Sequence, residues 1–333
     1  MLLTKLNITA HRGLRGVSFQ DLQALSLFVG PNNSGKSSIL EAVALILRPF
    51  DPAQWVQVAR NRDLDVDFVD AIWSIFPGGR ILVLEDGPQQ SESMEFRGHV
   101  AGASRALEAR ATATADWGPD GGATVRVAAR VDDNVHNMVF GGGGKAEYGP
   151  GVVSHRCFTV TPITHRSGKA LVEHLSHVVD AGERELALAL LQIFDPHVES
   201  IDVSGGRRET VVVKHSARGV VDLASFGDGM RRVVALSLAL TRARGGALLV
   251  DELEAGIHPG ILDGVVQKLL SAAAEADVQV VATTHSLEAV DAVVSATQLL
   301  GTDVAGFYLR DDTVRRYDAE RLASLRSAGV DLR

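Results

Sequence analysis

A short glycine-rich stretch at residues 30–38 lies between an apolar run and a helical pattern. It reads Gly30, Pro31, Asn32, Asn33, Ser34, Gly35, Lys36, Ser37 and Ser38. With this GxxxxGKS spacing, the glycines let successive backbone N–H groups point at phosphate oxygens, and the following helix adds the positive end of its dipole. Lys36 would reach the β- and γ-phosphates, and the Ser37 hydroxyl would coordinate Mg²⁺. All of these residues except Pro31 are predicted to bind ATP, although ordinary glycine turns can show the same pattern.

Two neighbouring carboxylates, Asp251 and Glu252, end the apolar run at residues 247–250. If that run is a strand of a parallel sheet, its end lies at the edge where nucleotides bind. Asp251 would then hold Mg²⁺ together with Ser37, and Glu252 would polarise the water that attacks the γ-phosphate. Taken alone, the same strand end could be a capped turn.

Two further stretches could meet a nucleotide. His285 follows the strand-like run at 278–283, where a histidine can contact a γ-phosphate; a structural histidine is the alternative. Ser225, Gly227 and Gly229 lie in a turn before a helical pattern, which offers either a second anion site or an ordinary helix cap. One nucleotide cannot easily use two such loops of one subunit, so this loop would serve the ATP of a partner subunit.

The elements that must position these residues follow from periodicity. Apolar runs predict strands at 2–10, 25–29, 198–203, 210–215, 247–250 and 278–283, and helices at 36–48, about 229–244 and from Pro259 to about Ala276. Residues 169–194 carry helical periodicity. Residues 51–78 are mixed and partly helical, and residues 80–165 predict antiparallel strands split by glycine-rich turns.

The four motifs in this order resemble the ABC-type P-loop ATPases of the branch shared by SMC-like, RecF-like and OLD-like proteins. The chain is most similar to stand-alone bacterial OLD-like ATPases of the AAA family that lack a Toprim domain. The resemblance implies an α/β P-loop fold, namely an ABC-ATPase head with a mainly parallel core sheet flanked by helices, plus an antiparallel β-rich lobe. It implies a single ATPase domain over residues 1–333, formed from about 1–50 and 198–333, with an inserted lobe at about 51–197. It is weak over residues 51–165.

The resemblance also implies roles for single residues. Lys36, Glu252 and His285 would be catalytic, with His285 as the switch histidine. Ser225–Gly229 would be a degenerate signature loop acting in trans, and Glu254–His258 would line the dimer interface. The loop reads SFGDG rather than LSGGQ, which disfavours a transporter. No glutamine loop can be placed; Gln54 and Gln57 are candidates. Arg12 lies either near the base or in solvent.

Composition narrows the class of protein. The net charge is −8, which argues against an overall nucleic-acid coat but not against a local basic groove. Cys157 is the single cysteine and is expected to be a small buried residue. Since one cysteine cannot form an internal disulfide, a reducing cytoplasm is expected. The N-terminus lacks the pattern of a signal peptide, and no apolar run has membrane-spanning length, so no membrane partner is expected. The acidic stretch at 63–70 is interpreted as a solvated face rather than a metal site.

These observations favour an ATP-hydrolysing switch that forms an ATP-dependent homodimer and acts on DNA or a partner effector, in genome maintenance or phage defence. An OLD-like nuclease-associated ATPase subunit is the alternative, and a transporter ATPase is less favoured. A self-contained nuclease would need a Toprim domain after the ATPase, and residues 285–333 are too few for one.

Overall fold

The computed structural model describes residues 2–61, 68–77, 90–100, 107–117, 123–131, 133–141, 145–148, 155–205, 209–310 and 313–331. They form two compact units. The first contains the described residues of 22–34 and of 156–331, and the second contains those of 2–21 and of 35–155. Each unit therefore combines two separate segments of the chain.

The second unit is an antiparallel sheet with three helices. Its strands are β1 (Leu3–His11), β2 (Leu14–Phe19), β4 (Gln90–Val100), β5 (Leu107–Trp117), β6 (Ala123–Val131), β7 (Asn134–Gly141) and β8 (Lys145–Tyr148), in the order β2-β1-β4-β5-β6-β7-β8. The helices are α1 (Lys36–Leu47), α2 (Pro52–Arg60) and α3 (Phe68–Trp73). Alternate residues of β5 from Ala109 to Ala115 are buried, as expected for a sheet with one covered face.

The first unit contains the mainly parallel sheet. Its strands are β3 (Leu25–Val29), β9 (Cys157–Val160), β13 (Ala247–Val250), β14 (Gln279–Thr284), β15 (Val304–Arg310) and β16 (Thr313–Tyr317), in the order β16-β15-β3-β14-β13-β9. All of these pairings are parallel except that of β15 with β16. β3, β13 and β14 are buried along their whole length, which is typical of strands covered on both faces.

Helices and a small sheet complete the first unit. The helices are α4 (Gly168–Asp180), α5 (Arg184–Phe194), α6 (Asp228–Arg242), α7 (Pro259–Glu275), α8 (Leu287–Leu300) and α9 (Ala319–Ser327). β10 (Val198–Ser204), β11 (Thr210–His215) and β12 (Gly219–Asp222) form a three-stranded antiparallel sheet. Apolar side chains of α4 to α8 and of both sheets share one buried core.

The division into units differs from the predicted boundaries at 50 and 198. β1 and β2 continue the antiparallel sheet through the pairing of β1 with β4, so residues 2–21 lie with the lobe. β9 pairs with β13, and α4 and α5 share the core of the first unit, so residues 156–197 lie with the late sequence. A backbone pairing over such distances leaves no local pattern in the sequence.

Two local expectations can also be compared with the structure. The helical pattern expected at 169–194 is confirmed as two helices, since α4 ends at Asp180 and α5 begins at Arg184. Gly182 adopts φ +71° between them, a left-handed conformation that breaks the helix. The expectation that Cys157 is buried is confirmed. Among the described residues, no helix is long and apolar enough to cross a membrane.

Candidate functional site

The turn after β3 requires glycine at its first position. Gly30 has φ +157°, and a Cβ there would overlap the backbone carbonyl oxygen of Leu309 on β15. Asn33 adopts φ +66°, and the N–H of Ser34 donates to the carbonyl of Pro31 at 3.3 Å. Asn32 and Asn33 are exposed. Positive φ values within a tight turn expose successive N–H groups, the arrangement that binds anions.

The other predicted phosphate ligands belong to the second unit, which the chain enters at Gly35. Gly35 caps α1 with φ +87°, and a Cβ on it would lie 2.5 Å from Cδ2 of Leu14. Lys36 and Ser38 are buried in the first turn of α1, and Ser37 is partly exposed. The predicted lysine and serines therefore occupy a helix N-terminus, where the dipole favours anions.

Arg12 is not solvent-exposed. Its Nε donates to Oε2 of Glu41 at 2.5 Å, and one of its terminal nitrogens donates to the carbonyl of Ser74 at 2.9 Å. It therefore ties the β1–β2 turn to α1 and to the residues after α3. Gln54 and Gln57 lie on α2, where Gln54 is buried. Of the acidic stretch, Asp63, Asp65 and Asp67 lie outside the described residues.

In the first unit, parallel strand ends bring three of the predicted site residues to one sheet edge. β3, β14 and β13 are consecutive neighbours, and their carboxyl ends lead into Gly30, His285 and Asp251. Oδ1 of Asp251 accepts the Thr283 hydroxyl at 2.6 Å. The same Thr283 oxygen accepts the N–H of Glu252 at 2.9 Å. Thr283 therefore fixes both carboxylate residues from the adjacent strand, a role that the sequence analysis missed.

Glu252 has an unusual backbone. Its φ is +50°, a left-handed conformation that costs a non-glycine residue of order 1–3 kcal/mol. Such a conformation persists only where its surroundings hold it, and here Thr283 binds its N–H while Arg232 binds its carbonyl at 3.1 Å. The Glu252 side chain is 41% exposed. The strained backbone thus directs a carboxylate outward from a rigid sheet edge.

Arg232 is a fully buried arginine on α6 that the sequence analysis also missed. Its guanidinium donates to the backbone carbonyls of Asp251 at 2.8 Å, of Glu252 and of Thr161. Burial lowers the pKa of Arg232 to about 10, against the opposing effect of Asp251 and then of Glu252 and Glu254. The available signal was a charged residue at the start of an otherwise apolar run, VVALSLAL.

We expect Arg232→Met to lower the free energy of unfolding by about 3 kcal/mol, because it removes the three hydrogen bonds that the fully buried guanidinium donates to backbone carbonyl groups. Arg231→Met is the matched control. Arg231 is partly exposed and pairs with Asp228 at 3.6 Å, so its loss should cost less than about 1 kcal/mol. Urea unfolding of both variants measures the difference, and equal losses would contradict the role given to Arg232.

His285 lies beside two carboxylates. Its Nδ1 is 3.2 Å from Oε1 of Glu254 and 3.9 Å from Oε1 of Glu252. The His285 side chain is 44% exposed. At the end of the Glu254–His258 segment, His258 caps α7 by accepting the N–H of Gly260 at 3.0 Å. The predicted switch histidine and the predicted catalytic carboxylate are therefore neighbours.

The predicted signature loop lies at the start of α6. Ser225 ends a short 3-10 turn and is exposed, and Gly227 caps the helix. No described atom lies within 4 Å of a Cβ built on Gly227. A Cβ on Gly229, in contrast, would lie 2.9 Å from the Gly256 carbonyl oxygen and 3.1 Å from the Phe194 ring. Gly229 is therefore needed for packing, whereas Gly227 leaves the helix N-terminus open.

The segment after β9 adjoins the sheet edge that carries Asp251. Residues 161–166 follow β9, and the N–H of Asp251 donates to the Val160 carbonyl at 2.9 Å. His165 is buried 3.6 Å from Asp228, the first residue of α6, and burial lowers its pKa. The segment thus lies between the sheet edge that carries Asp251 and the predicted signature loop. It contains no glutamine, so it does not supply the glutamine loop that could not be placed in the sequence.

Two protein-family models match the chain. The model described as "AAA ATPase domain" matches residues 1–72, and the one described as "AAA domain, putative AbiEii toxin, Type IV TA system" matches residues 154–291. The chain carries AAA-type ATPase sequence at both ends. The glycine-rich stretch falls within the first AAA-type match, and the signature loop, both carboxylates and His285 fall within the second.

Similar proteins agree with this assignment. An uncharacterized protein of Methanocaldococcus jannaschii is 30% identical over 113 residues, which are 32% of this AAA-type chain and 99% of that protein. The chain therefore belongs to the same family as that protein. The DNA replication and repair protein RecF of Acinetobacter baylyi is 50% identical over 46 residues, which are 14% of this chain but only 13% of RecF.

Solved structures show the fold. An SMC head bound to the C-winged helix domain of ScpA has a TM-score of 0.50 at 12% identity, covering 96% of this AAA-type chain and 99% of that chain. The SMC head domain bound to the C-terminal domain of ScpA derived from Pyrococcus furiosus has a TM-score of 0.51 at 11% identity, covering 98% and 99%. The predicted α/β P-loop fold is confirmed.

Proposed function

We propose that the chain binds Mg-ATP and hydrolyses it to ADP and phosphate, as a switch that dimerises with a second copy of itself when ATP is bound. The observation that carries the proposal is Glu252. It is an exposed carboxylate on a strained, doubly held backbone at the carboxyl edge of a parallel sheet. Such conformations are concentrated at functional sites.

The chemistry assigns one role to each predicted residue. Glu252 accepts a proton from a water molecule as the oxygen of that water attacks the γ-phosphorus. The bond between the γ-phosphorus and the bridging oxygen breaks, and ADP leaves. Lys36 and the backbone N–H groups of residues 30 and 32–38 hold the phosphates, and His285 contacts the γ-phosphate. Bound Mg²⁺ would neutralise charge on the phosphate oxygens, with Ser37 and Asp251 as its ligands; hydroxyl and carboxylate oxygens are donors that Mg²⁺ prefers.

The open signature loop supports the dimer. Ser225 and Gly227 are exposed at the N-terminus of the long helix α6, so a phosphate of a second subunit can reach it. Nucleotide held between two subunits converts its binding free energy into association free energy. The Glu254–His258 segment, which meets the same helix at Gly229, would line that interface.

The effector is proposed from names of similar proteins. One matching family model is described as a putative toxin of a type IV toxin–antitoxin system, and RecF is named for DNA replication and repair. Both descriptions favour an ATPase that acts on DNA or a partner effector, in genome maintenance or phage defence, and its OLD-like character is proposed from the sequence motifs alone. The reducing cytoplasm, which suits the single buried cysteine, is its proposed location.

Lys36→Ala tests the nucleotide site. We expect affinity for ATP to fall roughly 100-fold, since a charge-assisted contact to phosphate is worth about 1.5–3 kcal/mol. Binding of a fluorescent ATP analogue and release of phosphate are the measurements. Lys169→Ala, which changes an exposed lysine of α4, is the control and should leave both unchanged. Wild-type ATP binding by Lys36→Ala would contradict the proposal.

A further inference from the structure

Glu254 contacts the segment that carries His285 at three points. Its Oε1 accepts the backbone N–H of His285 at 3.2 Å and lies 3.2 Å from the Nδ1 of the same residue. Its Oε2 accepts the Thr284 hydroxyl at 2.7 Å. The Glu254 side chain is only 14% exposed, and hydrogen bonds to an ionised carboxylate are strong where water is scarce.

Glu252 and Glu254 differ in what they face. Oε1 of Glu252 is 3.9 Å from Nδ1 of His285, beyond the length of a hydrogen bond. Glu252 is also much the more exposed of the two side chains. Glu252 is therefore directed toward solvent, whereas Glu254 is directed into the protein, toward the β14 end.

We infer that Glu254 is a positioning residue for His285, an inference that rests on the proposed ATP hydrolysis for its effect on rate. An ionised carboxylate only accepts hydrogen bonds, so its contact with Nδ1 selects the ring form that carries hydrogen on that atom. The contacts with the backbone of His285 and with Thr284 fix the position from which the ring projects. Nε2 is then the ring atom that faces the γ-phosphate, and it donates a hydrogen bond to a phosphate oxygen when the ring carries hydrogen on both nitrogens.

A double-mutant cycle tests the dependence on His285. Glu254→Ala should lower kcat about tenfold, with the KM and Kd for ATP changed less than twofold, because the loss is one of orientation. Glu254→Ala combined with His285→Ala should be no slower than His285→Ala alone. Glu254→Gln, which keeps an acceptor oxygen, should recover part of the rate. Glu275→Ala, an exposed glutamate of α7, is the matched control.

A spectroscopic test does not depend on catalysis. At mildly alkaline pH, where histidine rings are neutral, nitrogen-15 spectra distinguish rings protonated on Nδ1 from those protonated on Nε2. The His285 signals, identified by their loss in His285→Ala, should show hydrogen on Nδ1 in the wild-type protein. They should shift toward the Nε2 form in Glu254→Ala and remain unchanged in Glu275→Ala.

The outcomes separate this inference from the proposed function. If the rate losses of Glu254→Ala and His285→Ala multiply, or if the ring form is the same with and without Glu254, Glu254 does not position His285. If the wild-type protein neither binds nor hydrolyses ATP, the proposed function fails, while the spectra still decide whether Glu254 orients the ring.

Discussion

We expect Glu252→Gln to slow ATP hydrolysis by about a thousandfold, within the 10²–10⁴-fold range for loss of a general base. The amide is nearly the same size as the carboxylate but cannot take the proton of the attacking water. Affinity for ATP should change little, because Glu252 is assigned to the attacking water rather than to the phosphates. Phosphate release under steady-state conditions, with ATP binding measured in parallel, gives the two quantities.

Glu275→Gln provides the control, since it makes the same chemical change at an exposed position of α7. It should hydrolyse ATP at the wild-type rate. Unchanged turnover by Glu252→Gln would show that another group accepts the proton. A fall in ATP affinity as large as the fall in rate would instead place Glu252 among the binding residues.

The second large effect is expected on the ATP-dependent dimerisation of the chain. With Mg-ATP, the Glu252→Gln protein should shift to twice its mass in light scattering, because it binds nucleotide but does not consume it. Adding Gly227→Arg should abolish the shift, since a long charged side chain would occupy the loop that receives the partner's nucleotide. The fold should be unaffected, because no described atom lies within 4 Å of a Cβ at Gly227.

Gly229→Ala is the informative contrast. Its Cβ would press on the Gly256 carbonyl and the Phe194 ring, so it should lower the free energy of unfolding by about 1–3 kcal/mol. Thermal unfolding of both variants separates a blocked surface from a damaged helix. If the mass is the same with and without nucleotide, or if an ATP-induced dimer still forms in the Gly227→Arg variant, nucleotide-driven association through this loop is ruled out.

The motifs were predictable because their signals are local. An apolar run, a glycine turn and a helical pattern lie within about twenty residues, and backbone rules at that scale predict β3, the turn at 30–35 and α1. The same holds for Asp251 and Glu252 at the end of β13. The helical periodicity of residues 169–194, by comparison, did not show where α4 ends and α5 begins, a break at which Gly182 adopts a left-handed backbone.

The residues that hold Asp251 and Glu252 in place were not predictable, because they act through contacts between segments that are distant in the sequence. Thr283 fixes Glu252 only because β13 and β14 are adjacent, and Arg232 reaches three carbonyl groups only because α6 packs beneath the same edge. The division into units has the same origin, since β1 joins the lobe by pairing with β4, more than eighty residues later.

The position of β3 in its sheet also constrains how the protein is made. Its two neighbours, β14 and β15, end at Thr284 and Arg310, whereas β3 itself ends at Val29. During translation, the strand that leads into the glycine turn remains without either partner until β14 has been synthesised, long after β3 itself. The antiparallel strands up to Tyr148 emerge long before that. A ribosome that stalls before β14 has emerged would therefore leave an apolar, unpaired β3 exposed, an aggregation-prone segment for chaperones to bind.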